Sequence, residues 1–124
     1  MGDFRKLAVW QLSVAWVTRV YSATEGFPQR ERYGLSAQLR KSAVSVASNI
    51  AEGAARNAPK ETRYHLRVAE GSLAEARTQC LIAAKLRYID RPTAADLAKR
   101  AQQVRAMLAA LRKRTDNGTD TSTP

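Results

Sequence analysis

Cysteine is almost missing from this chain of 124 residues, and Cys80 stands alone. One thiol cannot close an internal disulfide, so neither oxidising export nor a cysteine-rich metal site finds support. Histidine is equally scarce, with only His65. A di-iron bundle needs Glu-x-x-His pairs on two helices, and one histidine cannot supply them. No apolar run approaches the roughly 18 residues of a membrane span. The opening Met1-Gly2-Asp3-Phe4-Arg5-Lys6 lacks the order of a secretory signal, and Lys6 stands where a myristoylation signal wants Ser or Thr. A cytoplasmic location away from membranes is the expectation. Strand signals are nearly absent, as are a Gly-x-Ser-x-Gly elbow, a phosphate loop and a carboxylate pair with acid and base roles. No catalytic residue, metal or cofactor is therefore expected.

Positive charge is present in excess. Twenty-one Lys and Arg face 11 Asp and Glu, giving a net charge of +10. Such a balance points to a polyanionic partner, although Ala- and Arg-rich composition can also leave nothing more than a solvated basic face. Hydrophobic residues make up 44% of the chain, enough for one folded domain.

Apolar residues recur every three or four positions through four segments, which predicts four helices. The first spans about Phe4 to Ala23 and stops at Gly26-Phe27-Pro28. The second spans about Tyr33 to Ala55, followed by Asn57 as an N-cap and Pro59 in the first turn of the third. The third ends near Arg87. Thr93 opens the fourth with Asp96 three residues on, a capping-box variant, and that helix lasts to about Arg114. Short connections imply an all-α, antiparallel up-and-down four-helix bundle over residues 1–114, with a disordered polar tail over 115–124.

The helix faces suggest more than one subunit. The first helix carries Leu7, Trp10, Val14, Val17 and Tyr21 on one stripe and Val9, Leu12, Trp16 and Val20 on nearly the opposite one. The third carries Leu66, Ala69, Leu73, Ala76, Cys80 and Ala83 against Tyr64, Val68, Ile82, Leu86 and Ile89. Leu97, Ala101, Val104, Leu108 and Leu111 form a single stripe on the fourth. One bundle buries one face per helix, so Val9, Leu12, Trp16, Val20, Tyr64, Val68, Ile82 and Leu86 are expected at an interface between copies.

The segment SVASNIAEG, Ser45 to Gly53, interrupts an apolar pattern with polar residues. Gln38, Ser42, Ser45, Asn49, Glu52 and Arg56 fall within about 80° on the helix and border the face of Leu39, Ala43, Val46 and Ile50. This stripe reads as a seam where small residues admit a neighbouring helix and Asn49 and Glu52 supply hydrogen bonds. Gly71, a glycine inside a helix, is expected to mark close approach as well. His65, four residues after Glu61, is expected to pair with that carboxylate or to pack at a seam.

Several of these segments together resemble a known family. Asp3-Phe4-Arg5-Lys6-Leu7-Ala8-Val9-Trp10-Gln11, Phe27-Pro28, Glu31-Arg32-Tyr33-Gly34-Leu35, Gln38-Leu39-Arg40-Lys41-Ser42-Ala43-Val44-Ser45, Asn49-Ile50-Ala51-Glu52-Gly53 and Gly71-Ser72-Leu73-Ala74-Glu75 occur in its order. The chain resembles the small bacterial four-helix-bundle family first named for reading frames inside intervening sequences of 23S ribosomal RNA genes. The resemblance implies a barrel-like homopentamer. That family includes the accessory variability determinant of diversity-generating retroelements, a basic pentamer that partners a reverse transcriptase and binds nucleic acid. It supplies no catalytic residues, so Ser45, Asn49, Glu52, Gly53 and Gly71 read as shared architecture.

The expected function is that of a non-enzymatic homo-oligomeric adaptor binding RNA or DNA, alongside a reverse transcriptase or another protein. Arg40 and Lys41, then Arg56, Lys60, Arg63 and Arg67, then Lys99, Arg105, Arg112, Lys113 and Arg114 are the candidate contacts. No aromatic platform interleaves with these arginines, so largely sequence-independent binding is expected. A scaffold that binds only protein is the alternative, and an enzyme using the stripe at Asn49 and Glu52 is the weakest reading.

Overall fold

A computed structural model describes residues 3–121, with side chains through residue 116. Four α-helices follow a short 3-10 turn at Phe4–Lys6: α1 Ala8–Glu25, α2 Leu35–Ala55, α3 Pro59–Lys85 and α4 Arg91–Thr121. A second 3-10 turn, Gln29–Glu31, lies between α1 and α2. No strand occurs among the described residues.

Each helix packs on its two neighbours, and the backbones of the diagonal pairs, α1 with α3 and α2 with α4, stay apart. Cross-contacts fix the directions. Ser42 meets Gln79 while Thr62 meets Gly53, and Glu70 meets Arg112 while Arg63 meets Asp116, so α2, α3 and α4 alternate. Trp16 meets the start of α4 at Leu97, which closes the square.

The core follows the helical periodicity. Leu39, Val46, Ile50, Leu66, Leu73, Leu97, Val104 and Leu108 are all buried, from the stripes expected on α2, α3 and α4. On α1 the assignment is reversed. Val9, Trp16 and Val20, expected between copies, are only 4%, 1% and 0% exposed within the single subunit. They have no surface left to offer a second copy. Leu12 is half-buried against the same core. The physical reason is that both sides of α1 are apolar, and the side carrying Val9, Trp16 and Val20 is the one turned into the core between α2 and α4. The buried indole N–H of Trp16 donates to the Leu97 carbonyl at 3.0 Å, which satisfies the one polar atom that ring brings inside.

Helix ends also differ from the expected boundaries. Asp90, rather than Thr93, caps α4: its Oδ1 accepts from the Thr93 N–H at 2.8 Å, and hydrogen bonding with the Thr93 side chain first, then with that N–H, holds the Asp90 carboxyl below its ordinary range. Asp96 pairs instead with Arg19 and Arg100. Ala58 occupies the position before α3 without a side-chain cap, so Asn57 does not serve there. The C-terminal helix passes the expected end at Arg114 and reaches Thr121, helped by pairing of Asp116 with Arg63 and Arg112. Of the tail expected to be disordered, residues 122–124 lie outside the described residues. Between α3 and α4, Arg87 adopts a φ of 62°. The Tyr88 N–H bonds back to the Ala83 carbonyl at 2.9 Å, closing the left-handed helix end that glycine usually occupies.

Candidate nucleic-acid interface and the polar seam

The polar stripe of α2 lies against α3 and is closed by hydrogen bonds along its length. Ser42 Oγ sits 2.6 Å from Gln79 Oε1, and Ser45 Oγ sits 2.8 Å from Ser72 Oγ. Asn49 Nδ2 donates to the Ser45 carbonyl at 2.9 Å and to Ser45 Oγ at 3.1 Å. Its Oδ1 faces His65 Nδ1 at 3.1 Å, and Glu52 Oε2 lies 3.5 Å from the same nitrogen. Both neighbours of Nδ1 are acceptors, so that nitrogen carries the proton. His65 thus turns to the seam and not to Glu61. At the far end Thr62 Oγ1 donates to the Gly53 carbonyl at 2.9 Å.

Gly53 suits this closeness. A Cβ there would lie 3.2 Å from His65 Cβ and 3.3 Å from the Thr62 carbonyl oxygen. Gly71 is different: a Cβ there would meet nothing within 4 Å, and the residue is exposed. The expected close approach at Gly71 is absent within the subunit, and its neighbour Ser72 is the residue at the seam. Ser42, Ser45, Asn49, Thr62 and His65 each have a hydrogen-bond partner at the seam, while Glu52 is exposed. Ser45 contacts Ser72 and Asn49 but no histidine, so the nucleophile and base of a hydrolytic site are not brought together.

The candidate basic residues divide into two groups. Arg40, Arg63 and Arg112 are committed internally. Arg40 Nε donates to Thr24 Oγ1 at 2.7 Å, and its guanidinium lies 4.5 Å from the centre of the Tyr21 ring. Arg63 pairs with Asp116 at 3.1 Å, and Arg112 with Glu70 at 2.6 Å. These three tie helices together. The others are open. Lys41, Lys60, Arg67, Lys99, Lys113 and Arg114 are exposed and form no ion pair among the described residues. Arg56 keeps only a loose contact to Glu52 at 3.9 Å, and Arg105 bonds to neutral Gln102.

The fold gathers some of these cations. The contact of Arg63 with Asp116 places the start of α3 beside the C-terminal part of α4, so Arg56, Lys60, Lys113 and Arg114 share one end of the bundle. Lys41 and Lys99 lie toward the other end, because Ser42 contacts Gln79 late in α3 and Leu97 contacts Trp16.

Arg30 and Arg32, outside the candidate contacts, also lie toward that end. Arg32 stands 5.6 Å from the Tyr33 ring centre, Arg30 stands 5.9 Å from Tyr88, and Arg40 covers Tyr21. Aromatic rings do therefore interleave with arginines here, contrary to expectation. Only Arg32 and Tyr33 adjoin in sequence; the remaining pairs are built by folding. Glu31 organises the connection: Oε1 accepts from the Leu35 N–H at 3.1 Å and Oε2 from the Tyr88 hydroxyl at 2.9 Å. Those bonds hold its carboxyl below the ordinary carboxylate range, with the Leu35 N–H the larger cause. Cys80 is chemically quiet, as burial pushes its thiol up to about 11.

On the exposed side of α3, Tyr64, Ile82 and Leu86 are 63%, 43% and 50% exposed, while Val68 is half-buried. No group of three or more potential metal ligands occurs among the described residues, and no helix there is long and apolar enough to cross a membrane.

Comparison with solved structures finds a likeness to a crystal structure of a protein of unknown function from the S23 ribosomal protein family of Bacteroides thetaiotaomicron VPI-5482. Identity is 17%, the alignment covers 86% of this chain and 99% of that one, and the TM-score is 0.80. At that identity the likeness speaks for the fold alone. Comparison with curated proteins finds none that matches. The family model for the 23S rRNA-intervening sequence protein matches residues 5–110. That span holds the polar seam and all four helices' core stripes to Leu108, and by it the chain belongs to the 23S rRNA-intervening sequence protein family.

Proposed function

We propose that the protein is a non-enzymatic homo-oligomeric adaptor that binds RNA or DNA through its basic surface. The observation that carries this reading is the division of the cations. Arg19, Arg63 and Arg112 pair with carboxylates on neighbouring helices, and Arg40 is bonded to Thr24 and the Tyr21 carbonyl, whereas none of the six lysines forms an ion pair among the described residues. Cations without a carboxylate suit phosphate, whose neutralisation releases counterions. A reverse transcriptase or another protein is the proposed companion, and a cytoplasmic location is part of the proposal.

The outer face of α3 supports the proposed assembly. Tyr64, Gly71, Ile82 and Leu86 share one side at about 100° per residue, and each remains exposed on the single subunit. A helical glycine in open space costs up to about 1 kcal/mol relative to alanine. A second copy packed closely on Gly71 offsets that cost, and a barrel-like pentamer is the arrangement we propose. Repetition of the subunit multiplies weak phosphate contacts.

Salt titration of binding to labelled RNA and DNA, with mass followed by light scattering, tests the reading. Binding that weakens steeply with salt is the expected result. Absence of binding at low salt contradicts it and leaves a scaffold that docks only protein. Substituting Lys60, Lys113 and Arg114 by Glu is expected to flatten the slope by about one unit per lost phosphate contact.

A further inference from the structure

At the end of the bundle formed by the α1 to α2 connection lies an open groove of about 560 Å³, lined in part by Glu25, Phe27, Arg32, Tyr33, Ser36 and Arg40. Tyr33 is 87% exposed, the most exposed large apolar-bodied side chain described. A tyrosine leaving its ring in water on a mobile loop would carry little meaning, since single exposed apolar residues are common. This one is held. The carboxylate of Glu31 grips the Leu35 N–H on one side and Tyr88 on the other, and the Gly34 N–H bonds to the Glu31 carbonyl at 3.0 Å. A Cβ on Gly34 would come within 2.8 Å of Glu31 Oε1, so glycine keeps the carboxylate in place. Tyr33 is presented outward by a braced backbone.

Cations flank the ring. The Arg32 guanidinium lies 5.6 Å from its centre, and Arg32 has no carboxylate partner among the described residues. Arg40 forms the groove wall, fixed by Thr24 and by the Tyr21 carbonyl, again without a carboxylate. Glu25 is the one acidic residue lining the groove. Two guanidinium groups and one carboxylate leave the groove positive, beside an aromatic face in water.

We propose that this groove binds a single-stranded segment of nucleic acid, with one base stacked on Tyr33 and an adjoining phosphate held by Arg32. The proposal rests on the nucleic-acid reading above and adds strand type and place. A flat aromatic face accepts any unpaired base, because every base has a π-face, whereas bases in a duplex are already stacked on each other. Arg32 serves both partners, as cation toward the ring and donor toward phosphate. Sequence preference is therefore weak, and the strand type is what the site selects.

The test measures binding of labelled uracil and thymine homopolymers, as RNA and DNA single strands, against mixed-sequence duplexes. Wild type is compared with Tyr33→Ala, Tyr33→Phe and Arg32→Gln, with mass followed by light scattering. Tyr33→Ala is expected to weaken single-strand binding about tenfold, the scale of one lost stacked base, and to leave duplex binding unchanged. Tyr33→Phe keeps the ring and retains binding. Arg32→Gln lowers the salt slope by about one unit. A larger effect on RNA than on DNA identifies the strand by its 2′-hydroxyl. Unchanged single-strand binding in Tyr33→Ala, equal loss on duplexes, or a change in oligomer mass overturns the stacking site while leaving the general reading intact. A wild-type protein that binds neither strand type overturns both.

Discussion

The seam between α2 and α3 and the groove at the α1 to α2 connection use similar polar chemistry in opposite directions. In the seam, Ser42, Ser45, Asn49, Thr62 and His65 each find a partner inside the protein. In the groove, Arg32 and Tyr33 touch each other and otherwise face water. The densest sequence motif therefore lies where the groups are satisfied, and the most open groups lie in a stretch with no comparable pattern. A cluster of Ser, Asn, His and Glu signals chemistry only when some of its capacity is left over for a ligand.

This contrast can be broken most forcefully at Gly53. Replacement by Val brings atoms against His65 Cβ and the Thr62 carbonyl oxygen, and destabilisation of about 1–3 kcal/mol in chemical unfolding is expected, as for overpacked cores. Gly71 sharpens it from the other side. In an isolated subunit Gly71→Ala is expected to raise stability by up to about 1 kcal/mol. In the proposed oligomer the same methyl intrudes on a neighbouring copy, so light scattering is expected to show a smaller assembly. An unchanged mass together with raised stability would place the interface elsewhere.

A smaller effect concerns acid. Glu31 and Asp90 both have carboxyls held below their ordinary values of 4.5 and 3.8 by hydrogen bonds. A group depressed on folding contributes stability above its unfolded value, and that stability is lost as pH falls through the folded value. Thermal unfolding temperature is therefore expected to decline below about pH 4.5. Tyr88→Phe removes one donor to Glu31 and is expected to reduce the part of that decline that Glu31 contributes.

Much of the fold was legible because helical periodicity reports burial directly. Leu97, Ala101, Val104, Leu108 and Leu111 made one stripe and all five are buried. The first helix was harder, since both of its sides are apolar and periodicity cannot say which one meets the core. Trp16 and Val20 went inward, where two flanking helices cover them. The seam was legible as a polar border, but its partners were not: Ser72, Gln79, Thr62 and His65 are brought to it by the antiparallel register of α3. The arginine and tyrosine pairs at the connection were missed for a similar reason. Arg40 with Tyr21 and Arg30 with Tyr88 are distant in sequence, and the local cue, Arg32 beside Tyr33, looked like a helix start.

The claim that the seam is architecture and the open cationic surface is function meets its most direct test in one titration, the affinity of folded Asn49→Ala for labelled single-stranded RNA at low salt. Loss of the bonds to Ser45 and His65 is expected to destabilise the bundle by about 1–3 kcal/mol while affinity stays at the wild-type level. A variant that keeps its fold and oligomer mass but loses RNA would put the function in the seam and contradict the account.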